Sequence, residues 1–202
     1  QAKAVNILFD KFWLPEGAQL FVYNKHNTNY LGPFTHWHNN GTRKNIRGFS
    51  SGSLAGNEVI LEYHPSQNAS FKPVISLKSI VNIYKPPRFL KDNIKEASVV
   101  SLNDYDDSGD CMVNVNCSPE GDDWQDEKKS VVVYVYDGVS RCTGSLVNNT
   151  KSNDKPYLLT ANHCVDVNAP EELDFLNFYF MYETDSCSNP QSEPDMTKLN
   201  AG

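Results

Sequence analysis

The chain has 202 residues and a formal net charge of −7, enough for one large domain or two small ones with a buried core. The excess of acid argues against a general nucleic-acid binder, which needs a basic face to meet phosphates. No apolar run is long enough to span a bilayer as a helix, so no membrane partner is expected.

Tyr, Phe, Val, Thr and Asn are plentiful, and turn residues recur at short intervals, which leans toward β structure. In chain order, the first strands are predicted at 5–9, 19–23, 30–34, 59–63 and 74–84. Pro15-Glu16-Gly17, Asn27-Thr28-Asn29, Asn39-Asn40-Gly41 and Ala55-Gly56-Asn57 separate them. In the last strand, Ile75, Leu77, Val81 and Ile83 are expected on one face and Ser76, Lys78 and Asn82 on the other. Strands at this spacing, without a helical period, predict an all-β sandwich over residues 1–85. His36-Trp37-His38 places two imidazoles on one face of an expected exposed edge strand, with nothing nearby to complete a metal site. Gly48-Phe49-Ser50-Ser51-Gly52 matches the nucleophile-elbow pattern but lacks the strand–turn–helix context that the pattern requires.

Lys85-Pro86-Pro87-Arg88 breaks any strand, because neither proline can donate to a ladder. Residues 86–107 read as an exposed acidic linker. From Asp104 to Glu127 there are nine carboxylates and no Lys or Arg, as expected of a solvated surface. Asp104-Tyr105-Asp106-Asp107-Ser108-Gly109 imitates the start of a calcium loop, but Val115 stands where a bidentate Glu is needed, so no metal is expected. Asp107-Ser108-Gly109 imitates part of a serine loop, yet it precedes the candidate histidine and is flanked by aspartates.

Further strands are predicted at 130–136, 142–147, 157–160 and 175–182. All five cysteines lie between Cys111 and Cys187, so a Cys-free first part joins a Cys-rich second part. That division implies two units and an oxidising compartment. No charged-then-apolar leader with a cleavage site is visible, so any export signal is expected to have been removed already.

The chemistry concentrates at Cys142-Thr143-Gly144-Ser145 and Thr160-Ala161-Asn162-His163-Cys164. A general base must be held in one orientation against its nucleophile. A histidine where a strand gives way to a loop, beside a cysteine, is placed for that role. These two motifs resemble the histidine region of the chymotrypsin/trypsin superfamily. The wider string from Cys111-Met112-Val113-Asn114-Val115-Asn116-Cys117 to Asp122 is similar to bacterial lysyl endopeptidases. The resemblance covers residues 111 to about 190, and more weakly 4–84, which are similar to the β-rich segment preceding the protease domain in such precursors.

The resemblance implies an N-terminal β-sandwich pro-region or accessory domain (1–85), followed after the linker by the N-terminal β-barrel half of a trypsin-like protease domain (108–202). It implies a secreted serine endopeptidase with His163 as general base, acting on protein or peptide substrates without a cofactor. It also implies disulfides Cys142–Cys164 and Cys117–Cys187, with Cys111 paired to a cysteine further downstream. The triad's aspartate and serine, and the rest of the protease domain, are then expected beyond Gly202. Asp174, eleven residues after His163, is expected on the surface rather than as the orienting aspartate. Lys91 and Lys95 are candidate processing sites, and the first domain is expected to assist folding or to cover the active site until it is cut. The rival reading is a non-catalytic secreted β-sandwich binding module or a degenerate protease.

Overall fold

A computed structural model describes residues 2–26, 29–84, 112–136, 140–165, 169–183, 186–187 and 197–200. The expectations for the 86–107 linker, the Asp104–Asp107 run, Lys91, Lys95 and Cys111 lie outside these residues. The described chain is all β, with antiparallel sheets and short 3₁₀ turns. None of its helices is long and apolar enough to cross a membrane.

The first part contains β1 (Ala4–Trp13), β2 (Gln19–Asn24), β3 (Tyr30–Phe34), β4 (Gly41–Thr42), β5 (Asn45–Ile46), β6 (Phe49–Ala55), β7 (Val59–His64) and β8 (Val74–Ile83). One sheet has the order β6-β1-β8, a second β3-β2-β7, and β4 pairs with β5. Val5, Ile7, Phe9 and Phe49 from the first sheet share one buried cluster with Leu20, Val22 and Phe34 from the second. The two sheets therefore pack face to face around aromatic rings, with Phe12 and Phe49 stacked at 4.5 Å and Phe34 edge-on to Phe49 at 5.0 Å.

Two details depart from the alternation read in the sequence. Leu77 is 53% exposed, whereas Ile83 is buried and Ile75 and Val81 are partly so. The β1–β8 ladder steps from Leu8↔Ser79 to Phe9↔Leu77 and then to Lys11↔Ser76, leaving Lys78 and Asp10 unopposed and interrupting the two-residue period. Strand β6 was not anticipated, since Phe-Ser-Ser-Gly-Ser-Leu-Ala is polar along much of its length, yet every residue in it is buried. Strand β1 is also buried at each residue from Ala4 to Phe9. A strand buried at successive residues must be covered on both faces. Val5, Ile7 and Phe9 meet the sandwich core, and Asn6 turns toward Ser50 and Ser51 of β6 on the other side.

The second part contains β9 (Val131–Tyr136), β10 (Ser140–Val147), β11 (Tyr157–Leu159), β12 (Asn177–Phe180) and β13 (Thr197–Asn200). They form one five-stranded antiparallel sheet in the order β11-β10-β9-β12-β13. Tyr134, Cys164 and Leu176 form its buried cluster, with Tyr136, Cys142, Leu158 and Phe178 packed against them. The strand expected over 175–182 is shorter than read. A 3₁₀ turn with proline in its first turn occupies Pro170–Phe175, and Met181 leaves strand geometry at φ 58°. His36-Trp37-His38 is likewise a 3₁₀ turn rather than a strand, because Thr35 caps it through a reciprocal pair of bonds with Trp37 and His38.

Candidate functional site

His163 follows the edge strand β11, and the route to it is fixed from below. The Thr160 hydroxyl lies 3.0 Å from the Thr143 carbonyl oxygen and 2.8 Å from the Tyr134 hydroxyl. Thr160 has one proton to give and the carbonyl can only accept, so Tyr134 donates to Thr160. This chain of bonds ties the end of β11 to β9 and β10 at once. Gly144 lets β11 approach β10, because a Cβ there would sit 3.0 Å from both the Leu158 side chain and the Leu159 carbonyl oxygen.

After Ala161 the backbone closes into the 3₁₀ turn Asn162–Cys164, with the Cys164 amide donating to the Ala161 carbonyl at 3.0 Å. Cys164 is buried and disulfide-bonded to Cys142 of β10, with the Cα atoms 6.0 Å apart. His163, between them in the turn, is exposed. Its ring nitrogen and the two sulfurs lie within 4.8 Å of one another, so the imidazole sits beside the disulfide. A grouping of this kind could hold a metal only as free thiolates, and both sulfurs are here committed to each other. The arrangement therefore positions a histidine.

An open cavity of about 150 Å³ adjoins the imidazole, lined by Tyr136, His163, Cys164, Val165, Glu172, Leu173 and Leu176. Its walls beyond His163 and Cys164 were not foreseen. Tyr136 belongs to β9, while Glu172, Leu173 and Leu176 come from the unexpected 170–175 turn and the residue after it. A second disulfide joins Cys117 to Cys187 across 70 residues, with the Cα atoms 4.3 Å apart. Beside this corner, Lys128 pairs with Glu183 at 3.0 Å and donates to Asn116 at 2.9 Å.

Asp174 is not on the surface, contrary to expectation. It is 5% exposed and engaged by the first part of the chain. Arg47 reaches both its oxygens, Gly48 donates its amide at 3.1 Å, and Asn40 donates its side-chain amide at 3.0 Å. The carboxylate is thus satisfied by a forked guanidinium and two amides, the arrangement that makes a buried charge tolerable. Next to it, Ser50 Oγ lies 2.9 Å from Asn177 Oδ1 and 3.1 Å from Asn6 Oδ1. Ser50 is fully buried in this network, so the apparent nucleophile elbow is a strand irregularity. Ser51 supports that reading, since its hydroxyl takes the Ile7 amide where the β1–β6 register shifts. The Asn40 amide, within one of the chain's glycosylation-type sequons, is held between Asp174 and the Gly48 carbonyl.

No solved structure matches the chain. Residues 105–202, the part that carries His163, both disulfides and the cavity, match the family described as lysyl endopeptidase, C-terminal domain, which supports a lysyl endopeptidase-like protease family and a serine-protease-related function for that part.

Proposed function

We propose that residues 108–202 supply the histidine-bearing β-barrel half of a trypsin-like serine endopeptidase, exported to an oxidising compartment, and that His163 is its general base. The observation that carries this reading is the seating of His163. It is exposed at the end of a tethered strand, next to the Cys142–Cys164 disulfide and an open cavity, within the matched segment. In the reaction, Nε2 of His163 takes the proton of a serine hydroxyl as the hydroxyl oxygen attacks the peptide carbonyl. It then returns that proton to the departing amine as the tetrahedral intermediate collapses. An aspartate fixes the tautomer, and backbone amides beside the serine hold the oxyanion. The reading thus requires a triad aspartate and serine in addition to His163. The disulfides support export, and peptide bonds are the substrate class.

The test is active-site labelling of the full-length gene product with a fluorophosphonate probe. Labelling that disappears in His163→Ala is expected. Full-length, correctly oxidised material that takes up no probe would favour the non-catalytic alternative, a degenerate protease that has kept the scaffold.

A further inference from the structure

The 170–177 segment has two faces, and they look at different things. Glu172, Leu173 and Leu176 wall the cavity beside His163. Asp174, Phe175 and Asn177, interleaved with them, are gripped by the N-terminal sandwich. Asp174 is held by Asn40, Arg47 and Gly48, and Asn177 by Ser50. The Phe175 ring lies beneath the Lys78 ammonium at 4.2 Å, and it packs on Gly48 so tightly that a Cβ there would come within 2.7 Å of it. Among the described residues, none of the sandwich lines the cavity, and His163 is exposed with the sandwich in place.

We infer that the N-terminal sandwich is a docked brace for the 170–177 segment, holding the wall of the His163 cavity from behind, and that it is not a lid over the histidine. The partner of this surface is the chain's own first unit, recognised through the Asp174 carboxylate and the Asn177 amide. The brace is non-covalent, because the described disulfides both lie within the second part. Once the linker between the two parts is cut, the contacts to Asp174, Phe175 and Asn177 are what keep the sandwich bound. This goes beyond the protease assignment and stands without it, since docking requires no catalysis.

The experiment inserts a recognition site for a site-specific protease within residues 86–107 of the full chain, cleaves it, and follows the two fragments by size-exclusion chromatography and titration. Co-elution of the cut fragments is expected at moderate salt. Arg47→Ala, which removes a forked partner of a buried charge, is expected to weaken the complex about ten- to hundred-fold. Gly48→Val, which drives a branched side chain into the Phe175 ring, is expected to dissociate it. Circular dichroism of each variant's sandwich fragment shows whether that unit is still folded. In the uncut Arg47→Ala chain, amide hydrogen exchange over 170–177 is expected to rise while the sheet strand β10 keeps its protection. Separate elution of the wild-type fragments overturns the inference. So does Arg47→Ala affinity equal to wild type, or unchanged exchange over 170–177. A proteolytically dead protein whose fragments still co-elute would count against the protease assignment and leave the brace standing.

Discussion

The hydrogen-bonded chain Tyr134–Thr160–Thr143 can be tested by a double-mutant cycle. Tyr134 is fully buried, and its hydroxyl meets Thr160 Oγ1 at 2.8 Å, which in turn donates to the Thr143 carbonyl at 3.0 Å. Tyr134→Phe keeps the ring and removes one neutral bond, at a cost of about 1 kcal/mol. Thr160→Val keeps the shape and removes both bonds, leaving a buried phenol hydroxyl unpaired, so about 1–3 kcal/mol is expected. In the Thr160→Val background the phenol oxygen has already lost its partner, and removing it then costs little. The double variant should be less destabilised than the sum of the singles by about 1 kcal/mol. Urea unfolding under oxidising conditions, followed by tryptophan fluorescence, measures all three. Additivity within about 0.3 kcal/mol would refute the chain of bonds and, with it, the claim that β9 and β10 position the approach to His163.

Three further outcomes are expected. Replacing both cysteines of the 22-residue Cys142–Cys164 separation with alanine should cost about 3 kcal/mol on the chain-entropy account, and doing so for the 70-residue Cys117–Cys187 separation about 4 kcal/mol. Equal urea midpoints for the oxidised wild type and either variant would contradict this. Burial pushes the His38 imidazole below its ordinary value of 6.5, and the neighbouring His36 adds to it. The folded state therefore binds less proton than the unfolded state, and His38's contribution is complete above pH 6.5 and lost as pH falls below it toward the folded value. Stability measured across that window should fall with acidification in the wild type, and less steeply in His38→Phe; equal slopes would remove His38 as the cause. Gly144→Val should displace β11, because its Cβ already meets the Leu159 carbonyl oxygen at 3.0 Å, and the His163 ring resonances should shift by NMR; unchanged resonances would count against the close approach.

What could be read beforehand follows from the range of the signals involved. Turn dipeptides and β-rich runs act over a few residues, and they located most of the strands of both parts. The two flanking motifs brought His163, Cys142 and Cys164 into one picture because their spacing is local to a single hairpin. Strand β6 escaped because serine and glycine fill the run between its core residues Phe49 and Leu54: Ser50 and Ser51 are buried in hydrogen bonds to Asn6 and Asn177, and a polar run reads as surface. Asp174 was misplaced for the same reason, its partners Asn40, Arg47 and Gly48 lying more than a hundred residues earlier in the chain. Leu77 was misassigned because the register steps at Lys78 and Asp10 arise from pairing, which a single strand's alternation does not reveal.

The polarity of the surface where the two parts meet has a consequence for the order in which the protein is made. The sandwich is complete once residue 84 has been synthesised, but Asp174 and Asn177 bond to residues 126 to 134 positions before them. Asp174 follows residue 84 by 90 residues, so at ribosomal speeds of about 5–20 residues per second the wait is roughly 5 to 18 s. A hydrophobic docking face would spend that interval as an invitation to aggregate. One built from Asn6, Asn40, Arg47 and Ser50 can instead be held by water until its partner arrives, and the exchange of water for carboxylate and amide then seats the 170–177 segment.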